Sequence, residues 1–328
     1  MNIFTYIMSP SSFFGAISQG LLWSVLAMGV YITYRILDFA DLTTEGSFPL
    51  GAAVAAKYIL SGYNPIAATF IAMGYGLLAG LITGFLNTKL KIPGLLSGIL
   101  VMTGLYSINL RIMGKANLPL LKQPTVLTFF SDMGMTNTRA AMILGIITAV
   151  VVILLLWALF STELGFAIRA TGNNPHMIRA LGVNTDFMTM LGLMLSNALI
   201  SLAGALIAQY NGFADVGMGT GTIVIGLASV IIGEVLFGRT TVVRSLFSVV
   251  CGSILYRLII AAALERRGFQ PTDLKLLSSI VLAVCLSLPL VKEKYNRIVN
   301  RKNKVKESSQ EPSLTKDDTL LKGGNPSC

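Results

Sequence analysis

The sequence predicts an all-α polytopic membrane protein with about nine transmembrane helices, the count lying between eight and ten. Three observations lead there. Of the 328 residues, 54% are hydrophobic and only 12% charged, and the mean hydropathy is +0.72; a soluble domain carries roughly twice that share of charge. The apolar residues come in long blocks: no charge occurs from Met1 to Tyr34, from Tyr58 to Thr88, from Ala140 to Thr162 or from Phe187 to Ala214. About 20 apolar residues cross the hydrocarbon core as a helix, and these blocks lack the period-two alternation of barrel strands. Helices are then what satisfies the backbone.

The expected spans run near 13–34, 46–62, 66–88, 93–113, 139–160, 185–210, 218–237, 242–263 and 274–291, inside a membrane domain covering 1–292. The N-terminus has no cationic n-region and no small-residue cleavage site, so span 1 does not read as a cleaved signal peptide. Residues 293–328 change composition: Lys294, Arg297, Arg301, Lys302, Lys304 and Lys306 precede a polar stretch, the pattern of a disordered cytoplasmic tail. With the tail inside, the inner loops hold Arg35, Lys89, Lys91, Arg169, Arg179, Arg239 and Arg244. The outer loops hold Arg111, Lys115, Lys122, Arg139, Arg266, Arg267 and Lys275, and an odd span count leaves the N-terminus outside. The net charge of +10 sits beside apolar runs and in the tail, which speaks for membrane topology and against nucleic-acid binding. Cys251 and Cys285 fall within apolar runs and Cys328 is the last residue, so the cysteines are packing residues or a tail thiol and no disulfide framework.

The second span begins abruptly. Arg35, Asp38, Asp41 and Glu45 are four charges in eleven residues, interleaved with Thr43 and followed by Gly46, Ser47, Pro49 and Gly51. Asp38 and Asp41 would share and repel on one helix face, while proline and glycine weaken helix around them. The expectation is a broken second span, irregular over 35–49, that lines a pore or forms an inner gate, because open backbone at membrane depth is tolerated along a cavity. The same residues also read as a polar loop with Asp41 or Thr43 as a cap. In span 3, Gly76, Gly80 and Gly84 recur every four residues and build a face that another backbone can approach closely; Gly204 and Ala208 make a similar ridge in span 6.

An inverted internal repeat is predicted. Pro93–Leu100 opens span 4 much as Leu274–Val281 opens span 9, and two spans ahead of each lies a glycine-rich start, Gly46–Gly51 and Gly219–Thr222. Five spans separate the members of each pair, so they run oppositely, as transporter halves do. Chance likeness of Leu, Ser and Gly strings is the alternative.

Residues 161–183 form the most informative loop. Asn174 before Pro175 is an N-cap followed by proline at the first helical position, and Gly182 suits the position after a C-cap. A helix over 175–181 follows, with Met177, Ala180 and Leu181 on one face and Arg179 elsewhere, and His176 on it reads as a surface contact. Two turns are not stable alone, so this helix docks either on its own protein or on a cytoplasmic partner. Three ionisable residues fall inside spans, Lys57, Glu234 and Arg257, each costing about 2.5–3.5 kcal/mol at mid-membrane. Lys57 and Glu234 lie near span ends, Glu234 within reach of Arg239; Arg257 lies deeper and calls for a structural pair or a relay.

No phosphate-binding loop of the Gly-x-x-x-x-Gly-Lys-Ser/Thr type is present, and His176 is the sole histidine, so ATP is not bound here and no His-based metal cluster is available. No cofactor is expected and no nucleophile constellation suggests a membrane enzyme.

The run Arg169-Ala170-Thr171-Gly172-Asn173-Asn174-Pro175 through Arg179-Ala180-Leu181-Gly182-Val183-Asn184 resembles the coupling-helix region of bacterial ATP-binding-cassette importer permeases of the branched-chain amino-acid and ribose branch. Arg35–Thr43, Gly46–Ala56 and Gly226–Gly238 are similar to a subgroup linked to tryptophan or tyrosine uptake, and the resemblance covers roughly residues 15–292. It implies a plasma-membrane permease homodimer, non-catalytic itself, with a cytoplasmic ATP-binding subunit and an extracellular solute-binding lipoprotein. It also implies that Asn174, Pro175, His176, Met177, Arg179, Ala180, Leu181 and Gly182 meet the ATPase. The rival readings are an ion-gradient-driven transporter and, further off, a membrane-embedded enzyme.

Overall fold

The computed structural model describes residues 9–131, 134–238, 241–265, 276–284 and 287. Eleven α-helices, a further helical stretch at 276–284 and one small two-stranded sheet order these residues. Helix α1 (Pro10–Tyr31) starts with proline behind the Ser9 cap and continues through a π-helical turn, Ile32–Ile36. Then come α2 (Thr44–Leu60), α3 (Pro65–Thr88), α4 (Gly94–Met113), β1 (Asn117–Pro119), α5 (Val126–Ser131) and α6 (Asn137–Phe160). The chain continues with α7 (Glu163–Asn173), α8 (Pro175–Ala180), α9 (Thr185–Asn211), β2 (Phe213–Asp215), a 3-10 turn (Val216–Gly219), α10 (Thr222–Phe237) and α11 (Val242–Leu264). Among the described residues, seven helical stretches are long and apolar enough to cross a membrane. The protein is an all-α polytopic membrane protein. The expected ninth span is described only at 276–284 and 287, helical there; the expected tail, 293–328, lies outside the described residues.

The elements define two ends of a bundle. At one, antiparallel β1 and β2 pair Leu118 with Ala214; at the other sit α7 and α8. Helix α9 is the axis. Its 27 residues rise about 40 Å, and small residues let three helices close on it. The glycine ridge of α3 packs as expected: Gly76 lies against Asn197 and Ser201, Gly80 against Leu193, and Gly84 against Met190, each so close that a Cβ would collide. Gly29 of α1 meets Ser196 and Ile200, and Gly204 meets the Phe48 carbonyl of α2. Away from this axis, α6 buries one stripe, including Ala141, Leu144 and Val152, and exposes Ile147, Val151 and Leu155, as a helix bordering lipid does.

Two helices do not start at an end. Leu37 packs on Gly192 near the start of α9, Asn197 bonds both Asp41 and Ser47, and Phe48 packs on Gly204. Asn197 stands about 18 Å along α9 from Thr185. The chain therefore leaves α1, climbs back into the bundle as non-helical residues 37–43, and begins α2 at mid-depth, heading for the sheet end. The second span is broken, as expected, but the irregular part is shorter than 35–49. Arg35 lies in the π turn, and Gly46, Pro49 and Gly51 are helical. Pro49 brings no amide to the Glu45 carbonyl. Gly219 packs against that carbonyl and the Pro49 ring where no Cβ would fit, and Gly51 lets α2 press on Ser201. Packing thus overrides the weak local helix preference.

The 3-10 turn dips from the sheet end to Glu45 and α10 starts there, running to the other end, where Glu234 pairs with Arg35 at 2.8 Å. Arg239, the partner expected from sequence, lies outside the described residues. Helices α2 and α10 thus run in opposite directions, and their first turns meet in mid-bundle.

Candidate translocation and coupling sites

The mid-bundle junction is a set of buried polar groups with all-protein partners. Asp41 is 2% exposed. Its Oδ1 accepts the Thr43 amide at 2.9 Å and its Oδ2 accepts Asn197 Nδ2 at 2.8 Å. Ser47 donates to Asn197 Oδ1 at 2.6 Å, and the Thr43 and Thr83 hydroxyls lie 2.7 Å apart. Thr44 Oγ1 donates back to the Asp41 carbonyl at 2.9 Å. Asp41 therefore closes the turn that leads into α2 and clamps it to α9; the N-cap position itself is Thr43, whose side chain makes no cap bond. A buried acid survives there because hydrogen bonds replace its water.

Glu45 lies in the first turn of α2, and its Oε1 accepts the Gly221 amide at 2.9 Å, where α10 begins. One carboxylate thus faces two helix N-termini, each equivalent to roughly half a positive charge. Gly46 fits closely against Met102 and Leu105 of α4, and Asn109 Nδ2 donates to the Gly46 carbonyl at 3.2 Å. Asp38 behaves differently from Asp41. It takes a left-handed turn, φ 52°, and is exposed at the α7/α8 end, so the two acids never share a face.

Asp38 borders two cavities at that end. One of about 670 Å³ is lined by Tyr31, Arg35, Arg169 and Asn173, the other of about 470 Å³ by Asn87, Lys91, Arg179 and Asp186. Between them lies a helix that the sequence reading missed. Helix α7 starts at Thr162, whose hydroxyl accepts the Gly165 amide at 3.3 Å, and it ends with Gly172 against the carbonyl of Ile36 and against Leu37. The signals were Thr162-Glu163, a cap with an acid in the first turn, and glycines with no turn to make.

Helix α8 forms where expected, one residue shorter. The Asn174 side chain accepts the Met177 amide at 3.1 Å, Pro175 opens the helix, Leu181 is the C-cap and Gly182 follows with φ 84°. Ile178, unremarked in the sequence, is the residue buried against the body. Arg179 turns back to donate to Thr185 at 2.7 Å and lies 3.7 Å from Asp186, which also meets Lys91 at 3.6 Å. His176, Met177, Ala180 and Leu181 are exposed, Leu181 by 70%. The apolar face predicted for docking is not covered by any other part of the chain among the described residues. Asn197 was also missed, and Gly219 and Gly221 were noted only as part of a repeat; the signal available was a polar Asn197 within a charge-free apolar run.

The chain matches the family described as branched-chain amino acid transport system / permease component over residues 12–287. It is 42% identical over 278 residues to the tyrosine transport system permease protein of Clostridioides difficile, covering 84% of this chain and 91% of that one. It is 38% identical over 276 residues to uncharacterized protein RP368 of Rickettsia prowazekii, covering 83% of this chain and 95% of the relative. The autoinducer 2 import system permease protein LsrC of Escherichia coli is 26% identical over 211 residues, 64% of this chain and 60% of its own length. No solved structure matches. With its membrane-spanning bundle, the chain belongs to the branched-chain amino acid transport permease family, as a multi-pass, non-catalytic component of a transport system.

Proposed function

We propose that this protein is the translocation subunit of an ATP-binding-cassette importer in the bacterial plasma membrane, carrying an aromatic amino acid. Two copies form the pore, a cytoplasmic ATP-binding subunit docks on α8, a solute-binding lipoprotein delivers at the sheet end, and the C-terminus is cytoplasmic. The observation that carries this reading is a continuous path from the exposed short helix to the broken span. Met177, Ala180 and Leu181 face outward on α8, α8 leads directly from α7, and Gly172 of α7 bears on Ile36 and Leu37. Leu37 opens the segment that ends at Asp41 and Thr43. Movement of α8 by ATPase closure is therefore delivered to the residues that set where α2 starts. Asp38, Asp41, Thr43, Glu45, Gly46, Ser47 and Pro49 act as the gate, alternately breaking and remaking the mid-bundle contacts.

The amino-acid cargo is supported by the tyrosine permease relative. A second reading, transport driven by an ion gradient, has Asp41 in its favour, a buried acid with no cationic partner among the described residues. One experiment separates them: uptake of labelled L-tyrosine by cells expressing the chain with its genomic neighbours. Uptake that survives a protonophore and stops on ATP depletion, with an ATPase co-purifying in equal amount, is the expected result. Uptake abolished by the protonophore at constant ATP overturns it.

A further inference from the structure

Toward the sheet end, away from the coupling helix, a guanidinium has no anion among the described residues. Arg257 of α11 lies about 10 Å below the end of that helix at Leu264. Its face stacks on the Trp23 ring of α1 at 4.1 Å. Its Nε is buried and has no hydrogen-bond partner among the described residues, and no carboxylate pairs with it there. The structural pair expected from sequence is thus a stack on an aromatic ring, and the donor-bearing edge stays open. A buried N–H without an acceptor keeps the full cost of its lost hydration, more so on a charged group, so a ligand that accepts from this edge gains what the empty state loses.

The surroundings define that ligand. Arg257 and Gln19 line two cavities at once. One, about 150 Å³, has polar groups on its wall, Tyr210 and Asn211. The other, about 330 Å³, is lined by Gly15, Ala16, Ile260 and Leu264. The smaller holds a head group of a few atoms, and the larger holds an apolar body. Trp23 in turn lies 5.2 Å from Phe48, in the first turns of α2, so whatever touches Trp23 is one ring away from the gate.

We propose that Arg257 is an oxyanion-binding residue that receives the carboxylate of the transported solute at the sheet end, with the solute's apolar side chain in the larger cavity. A guanidinium edge accepts a planar carboxylate through two parallel bonds, and the aromatic platform fixes the guanidinium so that little rotamer freedom is lost on binding. The proposal deepens the importer reading and rests on it for the identity of the anion. A lipid offers the same chemistry, a phosphate over an acyl chain, and the test separates the two sources.

The sequence has two tryptophans, Trp23 and Trp157. In a Trp157→Phe background of the full-length chain, in nanodiscs of zwitterionic lipid, Trp23 emission is excited on the red edge where tyrosine does not absorb. L-Tyrosine should change it saturably. L-Tyrosinamide, which lacks the carboxylate, should bind on the order of tenfold more weakly or worse. Arg257→Gln should abolish the response, and Arg257→Lys, which keeps the charge and loses the planar fork, should retain part of it at an unchanged unfolding temperature. No response to L-tyrosine, equal responses to acid and amide, or an intact response in Arg257→Gln overturns the proposal. A change produced by anionic lipid alone, blocking the tyrosine response, assigns the oxyanion to lipid and overturns the solute assignment. Uptake in the same strains keeps the two readings apart. Unchanged KM and rate in Arg257→Gln with a silent titration removes the site and leaves the importer standing. A positive titration without ATP-driven uptake removes the importer and leaves the site.

Discussion

The mid-bundle junction and helix α8 are opposite solutions to the same problem, a short irregular element that cannot hold itself. Residues 37–49 hide polar groups and satisfy them internally, Asp41 through Thr43 and Asn197, Ser47 through Asn197, and Glu45 through Gly221. Helix α8 does the reverse. It satisfies its polar ends locally through Asn174 and Arg179 and turns Met177 and Leu181 outward, 51% and 70% exposed. A buried polar network held by specific partners has discrete alternatives and suits a gate; an exposed apolar face on a helix anchored by one residue, Ile178, suits a partner that arrives from outside. Changes at the first region should therefore be felt by the fold, and changes at the second only by what docks there.

The difference between the two regions is most exposed at Asn197. Asn197→Ala strips Asp41 Oδ2 and Ser47 Oγ of their partners at once, leaving a buried acid half satisfied. A loss of about 3 kcal/mol or more is expected, read as a large fall in the unfolding temperature of the solubilised protein and as lost uptake. An unfolding temperature equal to wild type would show that the network carries no stability. Gly46→Leu is a poorer probe of the same region, because its side chain would have to enter the space of Met102 and Leu105.

A smaller free energy but a complete functional effect is expected at α8. Leu181→Asp buries a charge against any docked ATPase, weakening association tenfold or more, roughly 1.4 kcal/mol and upward, while the unfolding temperature stays put. Co-purification of the ATPase with the variant, together with normal uptake, would remove the docking role.

The smallest effect belongs to a third kind of contact, polar and exposed. Glu265, just beyond α11, accepts the Ser9 amide at 3.0 Å and the Ser12 hydroxyl at 3.0 Å, and these bonds, the Ser9 amide first, hold its carboxyl below the usual value. A lowered value means that the stabilisation is fully present above the ordinary carboxylate range and is lost as pH falls through the lowered value. Glu265→Gln should therefore flatten a slight acid-side decline in unfolding temperature and leave neutral pH unchanged. A variant that tracks wild type through the acid range would show that the tie contributes nothing.

Much of this architecture is present in the sequence by itself. Long charge-free blocks dictate membrane helices because hydrocarbon offers the backbone no hydrogen bonds, and every four-residue glycine step of α3 found a neighbouring backbone. Asn174-Pro175 and Gly182 fixed α8 because caps act within one turn. The family resemblance of 35–56 and 169–184 agrees with the relatives found. Local chemistry is enough in these places because each rule concerns residues adjacent in the chain or the solvent around it.

Contacts between distant elements set where the break in span 2 ends, since Pro49 and Gly46 favour an irregular chain locally and the packing of Gly219, Gly204 and α4 enforces a helix. They also decide that Glu234 meets Arg35, that α7 stands between α8 and residue 36, and that Arg257 faces Trp23 with an open edge. Each of these depends on partners from about 56 to 234 residues away in the chain. Spacing along one helix records which residues share a face, and it carries no record of what another helix brings to that face.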